Sequence, residues 1–63
     1  DRAAAKVYGH IRAVLEKQGI IVGHNNLVIA SIVLAHQGIL VTHNVREFQR
    51  IPALQVSDWT GEG

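Results

Sequence analysis

The stretch Gly23-His24-Asn25-Asn26-Leu27-Val28-Ile29-Ala30-Ser31-Ile32-Val33-Leu34-Ala35-His36-Gln37-Gly38-Ile39-Leu40-Val41-Thr42 decides the fold. The part before Gly38 is too long for one strand, so it reads as a helix despite β-branched Val28, Ile29, Ile32 and Val33. Its expected cap is His24 or Asn25, with asparagine the better by propensity, and its expected end is His36 or Gln37. A helix apolar nearly all round must be covered on most sides. Gly38 then releases the chain into Ile39-Leu40-Val41-Thr42, which is apolar without alternation. That pattern belongs to a strand with both sheet faces buried, as in parallel sheets.

Upstream, Ala4, Val7, Tyr8, Ile11, Val14 and Leu15 recur at helical spacing, with Arg2, Lys6, Arg12, Glu16 and Lys17 mostly on other faces. Gly19 is the expected stop, and Lys17 suits the last turn. Ile20 to Gly23 is a short apolar connector. Downstream, Val45 to Arg50 reads as a helical turn halted by Pro52, and Leu54-Gln55-Val56-Ser57 as a half-buried or edge strand. Trp59 is expected to close over the core, and residues 60–63 to form a frayed tail. Helix, strand, helix, strand implies a parallel sheet with flanking helices. Two short strands cannot cover their own faces and edges, so the α/β fold is expected to be incomplete.

The 63 residues make at most one small domain, and chains of this size bury only ~60% of their unfolded surface. There is no cysteine, which excludes disulfides and thiolate zinc sites and fits a reducing cytoplasm. Six basic and five acidic residues give a net charge of +1, too balanced to predict nucleic-acid binding from bulk electrostatics. Gln18 to Val45 contains no Asp, Glu, Lys or Arg. Its apolar centre, Leu27 to Ala35, is about half of the ~20 residues a membrane span needs, so no membrane association is expected. Nor is a secretory signal visible. The chain starts at Asp1 and has no methionine, so it is expected to be a piece of something longer.

Gly23-His24-Asn25-Asn26-Leu27-Val28-Ile29-Ala30-Ser31 followed by Gly38-Ile39-Leu40-Val41-Thr42-His43-Asn44-Val45-Arg46-Glu47-Phe48-Gln49-Arg50-Ile51-Pro52 and Leu54-Gln55-Val56-Ser57-Asp58-Trp59 resembles the C-terminal half of a VapC-type PIN-domain toxin. Tyr8-Gly9-His10-Ile11-Arg12 and Leu15-Glu16-Lys17-Gln18-Gly19 extend the resemblance over nearly the whole chain. It implies a PIN-like parallel sheet and a magnesium- or manganese-dependent ribonuclease. It also implies a VapB-type antitoxin as the partner that holds the toxin inactive. The family gathers three or four acids, two of them in the N-terminal half. By this resemblance Asn26 stands where the family has its main C-terminal aspartate. Asn44 stands at a second, more variable acid position.

Acids are needed there because magnesium prefers hard oxygen ligands, commonly one or two carboxylates plus substrate phosphates. The ion then activates water and stabilises the charge developing on phosphorus. An asparagine oxygen ligates without bringing charge, and near a divalent ion one missing charge is worth several kcal/mol even at an effective dielectric of about 20. The chain alone is therefore expected to be inactive and to act by association with a missing N-terminal half, another copy or an antitoxin. The rival expectations are an RNA-cleaving enzyme completed by an N-terminal fragment, and a small binding module unrelated to nucleases.

Glu47 is the nearest acid to the Asn44 position and a third candidate ligand, although an exposed helix charge is the favoured reading for it. Arg46 and Arg50 are candidate RNA-phosphate contacts, set against a solvated surface pair. The histidines His10, His24, His36 and His43 lack the close i, i+4 pairing of zinc sites, and only His24 with His43 is expected near one cleft. Tyr8 and Phe48 suit the core better than a nucleotide-stacking role.

Overall fold

A computed structural model describes residues 1–58. The expectations for Trp59 and for the 60–63 tail lie outside the described residues. The elements run α1 (Arg2–Gln18), α2 (His24–Ala35), β1 (Ile39–Val41), α3 (Val45–Phe48) and β2 (Gln55–Ser57). β1 and β2 pair in parallel, with Ile39 opposite Gln55 and Val41 opposite Ser57. The expected order and strand direction are both present. Among the described residues no helix is long and apolar enough to cross a membrane.

α1 starts on a side-chain cap, with Asp1 Oδ1 accepting from the Ala4 N–H at 2.7 Å. Both long helices finish in the same way. At the end of α1 the Ile20 N–H reaches back to the Leu15 carbonyl and the Gly19 N–H to Glu16. At the end of α2 the Gly38 N–H reaches Val33 and the Gln37 N–H reaches Leu34. This paired closure needs one residue in the left-handed region. At α1 that residue is Gly19, with φ 72°; at α2 it is Gln37, with φ 56°. Glycine adopts that region freely, whereas a side chain there is strained. Gly38, after which β1 begins as expected, is the second residue of the closure. Gly19→Ala should therefore lower stability by about 1 kcal/mol and Gln37→Gly should raise it by several tenths. Paired urea titrations check the opposite signs.

The cap of α2 differs from expectation. Gly23, in extended conformation, precedes the helix, and no side chain bonds to the helix start. The Gly23 carbonyl accepts the Leu27 N–H at 3.0 Å. His24 is already helical, and its ring is drawn aside to the Tyr8 hydroxyl at 2.8 Å. Asn25 is the second helical residue and exposed, so neither expected residue caps.

The core is small and lies where α1 crosses α2: Ile11 and Leu15 meet Leu27 and Ala30, with Phe48 and Ile51 closing from below. Leu40 and Val56 project from the sheet onto this cluster. Tyr8 is only half-buried, while Phe48 is in the core as expected. Ser31 is buried, and its hydroxyl donates to the Leu27 carbonyl one turn back.

Two burial expectations fail in an informative way. The sequence pattern places Ile39 and Val41 inside a doubly covered strand, yet they are 60% and 58% exposed. Alternation explains it: Leu40 takes the core side, and among the described residues nothing covers the sheet's other face at Ile39 and Val41. Likewise Val28, Ile29 and Ile32 on α2 remain exposed, because α1 and the sheet cover only part of a helix that is apolar all round.

Candidate functional site

In open parallel sheets ligands bind at the carboxyl ends of the strands. β1 leaves the sheet through Thr42 and His43 into Asn44, which precedes α3. Thr42 Oγ1 accepts the Asn44 N–H at 3.0 Å and fixes this exit. The Asn44 carboxamide makes no bond to the helix start, and its exposed side chain stays available to a ligand. α2 packs on β1 and returns to it through only His36 to Gly38. The first turn of α2 holds half-buried Asn26. Asn44 precedes α3 at the exit of β1.

The other candidates separate. Glu47 is half-buried in α3, and Arg46 beside it is exposed. Arg50 is engaged within the fold. Its Nη1 donates to the Ile21 carbonyl at 2.9 Å, tying the segment after α3 to the α1–α2 connector. The histidines take different partners. His24 is bonded to Tyr8, His36 Nε2 lies 3.4 Å from Asp1 Oδ2, and His43 Nδ1 lies 3.7 Å from Asp58 Oδ1. Among the described residues no three His, Asp or Glu side chains converge as metal ligands.

Two of these contacts have no counterpart among the sequence expectations. Asp58 follows β2 as His43 follows β1, so their approach joins the two carboxyl ends of the sheet. The available signal is an acid directly after the last strand, on the edge where parallel sheets bind ligands. The second is the Tyr8–His24 bond, reinforced by an edge-on ring contact with centroids 5.6 Å apart. It anchors the first turn of α2, and hence Asn26, to α1. Tyr8→Phe should lower stability by about 0.5–1 kcal/mol and release the His24 ring, seen as a change in its imidazole NMR shifts.

The electrostatics are plain. α2 has no acid in its first turn, although a helix N-terminus favours negative charge. Asn26 and Asn44 are neutral amides, and no three His, Asp or Glu side chains converge among the described residues, so these positions do not by themselves fit a magnesium or manganese ion, which calls for carboxylate charge.

A small parallel sheet flanked by helices, with its polar residues gathered at the strands' carboxyl ends, defines a partial α/β domain of the PIN type. Comparison with known proteins gives the family. Ribonuclease VapC2 of Rickettsia felis is 48% identical over 52 residues, covering 82% of this chain and 39% of that protein. The tRNA(fMet)-specific endonuclease VapC of Shigella flexneri is 43% identical over 60 residues, covering 95% of this chain and 46% of that protein. Among solved structures, VapBC-1 from nontypeable Haemophilus influenzae superposes with a TM-score of 0.89 at 45% identity, covering 95% of this chain and 45% of the matched chain. No family model matches. The chain belongs to the VapC ribonuclease family of toxin–antitoxin systems and is a partial PIN domain, spanning less than half the length of these relatives.

Proposed function

We propose that this chain is the C-terminal part of a VapC-type toxin, catalytically silent by itself, that acts by association. The feature that carries this reading is the pair Asn26 and Asn44: two positions that, by the resemblance, serve metal-held phosphodiester chemistry, both uncharged here. Association is supported by the exposed apolar residues of α2 and β1 and by the greater length of the relatives. A VapB-type antitoxin is the natural partner, because the matched H. influenzae structure is a VapBC complex. RNA is the substrate class of the complete fold, in keeping with relatives named as ribonucleases, one of them specific for tRNA(fMet). Magnesium or manganese would be the cofactor of that complete fold in the reducing cytoplasm.

The test is a cleavage assay on labelled RNA with manganese. The chain alone should release no product above a metal-only blank. Adding the portion of R. felis VapC2 that this chain does not match should give association with little or no cleavage. Robust cleavage by the mixture would favour the rival reading, an active ribonuclease completed in trans.

A further inference from the structure

A helix turns about 100° and rises about 1.5 Å per residue, so Arg2, Lys6, His10 and Lys17 of α1 fall within an arc of about 80°. All four are exposed, on the side turned from buried Ala4, Ile11 and Leu15. The row contains no acid. Glu16, the one acid within α1, pairs with Arg12 Nε at 3.4 Å. Asp1 is taken by the Ala4 N–H and His36, and Asp58 faces His43. Among the described residues none of the four basic side chains is in an ion pair.

The helix gains nothing from part of this row. Arg2 and Lys6 are i, i+4 neighbours, and like charges at that spacing oppose helix formation. Arg2 also stands in the first turn, where the macrodipole disfavours a cation and no acid offsets it. Lys17 in the last turn suits the dipole. Arg2 and Lys6 are therefore the two charges that helix stability does not account for. An elongated row of basic side chains fits a phosphate backbone, which is held by charge neutralisation spread over several contacts. A membrane surface fits less well, because the apolar face of α1 is spent in the core and none is left to enter lipid.

We infer that the outer face of α1 is a contact surface for RNA phosphates, with Arg2, Lys6 and Lys17 as its charges and His10 as a further ring donor. The inference rests on the reading above, in which RNA is the substrate class, and adds a holding surface that includes neither Asn26 nor Asn44. A net charge of +1 conceals it, because three of the six Lys and Arg residues stand on this one helix face.

Fluorescence anisotropy with labelled tRNA over a salt series, without divalent metal, tests it. Log affinity should fall against log salt with a slope of about −2 to −3, as three neutralised phosphates require. Arg2→Gln combined with Lys6→Gln should weaken binding roughly tenfold and flatten the slope by about two. That variant should unfold at equal or higher urea, since it removes a like-charge pair, so its lost binding is not a folding defect. Lys6→Gln alone should weaken binding several-fold. Arg12→Gln, which removes the same charge from the same helix but off the row, should leave it within about twofold. Equal losses from these two single variants would mean diffuse charge and overturn the assignment. Polyglutamate binding more tightly than tRNA at the same salt would give the face to an acidic protein partner and overturn it. Absence of tRNA binding at low salt overturns it too. The family reading is tested apart from these outcomes, by sedimentation of the chain with the unmatched portion of R. felis VapC2.

Discussion

Asn26→Asp is expected to raise manganese affinity more than tenfold once the chain is combined with the complementary portion of the fold. Position 26 lies in the first turn of α2, which holds no acid. Restoring the carboxylate adds one negative charge beside a divalent ion, an attraction of several kcal/mol at an effective dielectric of about 20. Tenfold requires only about 1.4 kcal/mol, so the expected gain survives considerable solvent screening. The same substitution should stabilise the fold by about 0.3–1 kcal/mol through the helix dipole, with or without metal. Asn25→Asp separates the two effects. Asn25 is exposed in the same turn, so it shares the dipole benefit, while its side chain leaves the helix about 100° away. Calorimetric manganese titrations of both variants decide the matter. Equal affinity gains would mean diffuse electrostatics and would remove position 26 from the site. Adding Asn44→Asp should increase the gain further, because ligand charge on a hard cation accumulates.

Local chemistry makes much of this fold legible in the sequence. The amphipathic period of α1, the stop at Gly19 and the break before β1 are each set within a few residues, and each appears where expected. The parallel pairing of β1 and β2 follows from element order alone. Burial is not legible in the same way, because apolar pattern states what a surface needs and not what this length of chain supplies. Ile39, Val41 and Ile32 read as core and are exposed for that reason. The α2 cap departs from expectation for a different cause: a contact between residues sixteen apart, Tyr8 and His24, outweighs a local propensity. At the candidate site, Asn26 and Asn44 are marked by resemblance alone. Asp58 escapes a sequence reading because its relevance depends on which strand lies beside which, a fact no single segment carries.

Ile11→Ala is expected to abolish most of the cooperative stability of the isolated chain. Ile11 is 2% exposed and sits among Leu15, Leu27, Ala30, Phe48 and Ile51. Truncating a buried isoleucine costs about 2–5 kcal/mol, through lost transfer energy and the cavity left behind. A domain of this length holds roughly 3–9 kcal/mol in total, taking 0.05–0.15 kcal/mol per residue. The loss is therefore comparable to the whole, and more so because exposed Val28, Ile29, Ile32, Ile39 and Val41 contribute little burial here. Urea unfolding followed by circular dichroism should show a broad or missing transition. Ile21→Ala is the matched control: the same side chain, 85% exposed, where a change within about 0.5 kcal/mol is expected. If both substitutions destabilised equally, the core would not lie at the α1–α2 crossing. If the complementary portion of the fold restored a sharp transition to the Ile11 variant, the burial missing from this chain would be supplied by that portion, since a partner that binds only the folded state stabilises it by mass action.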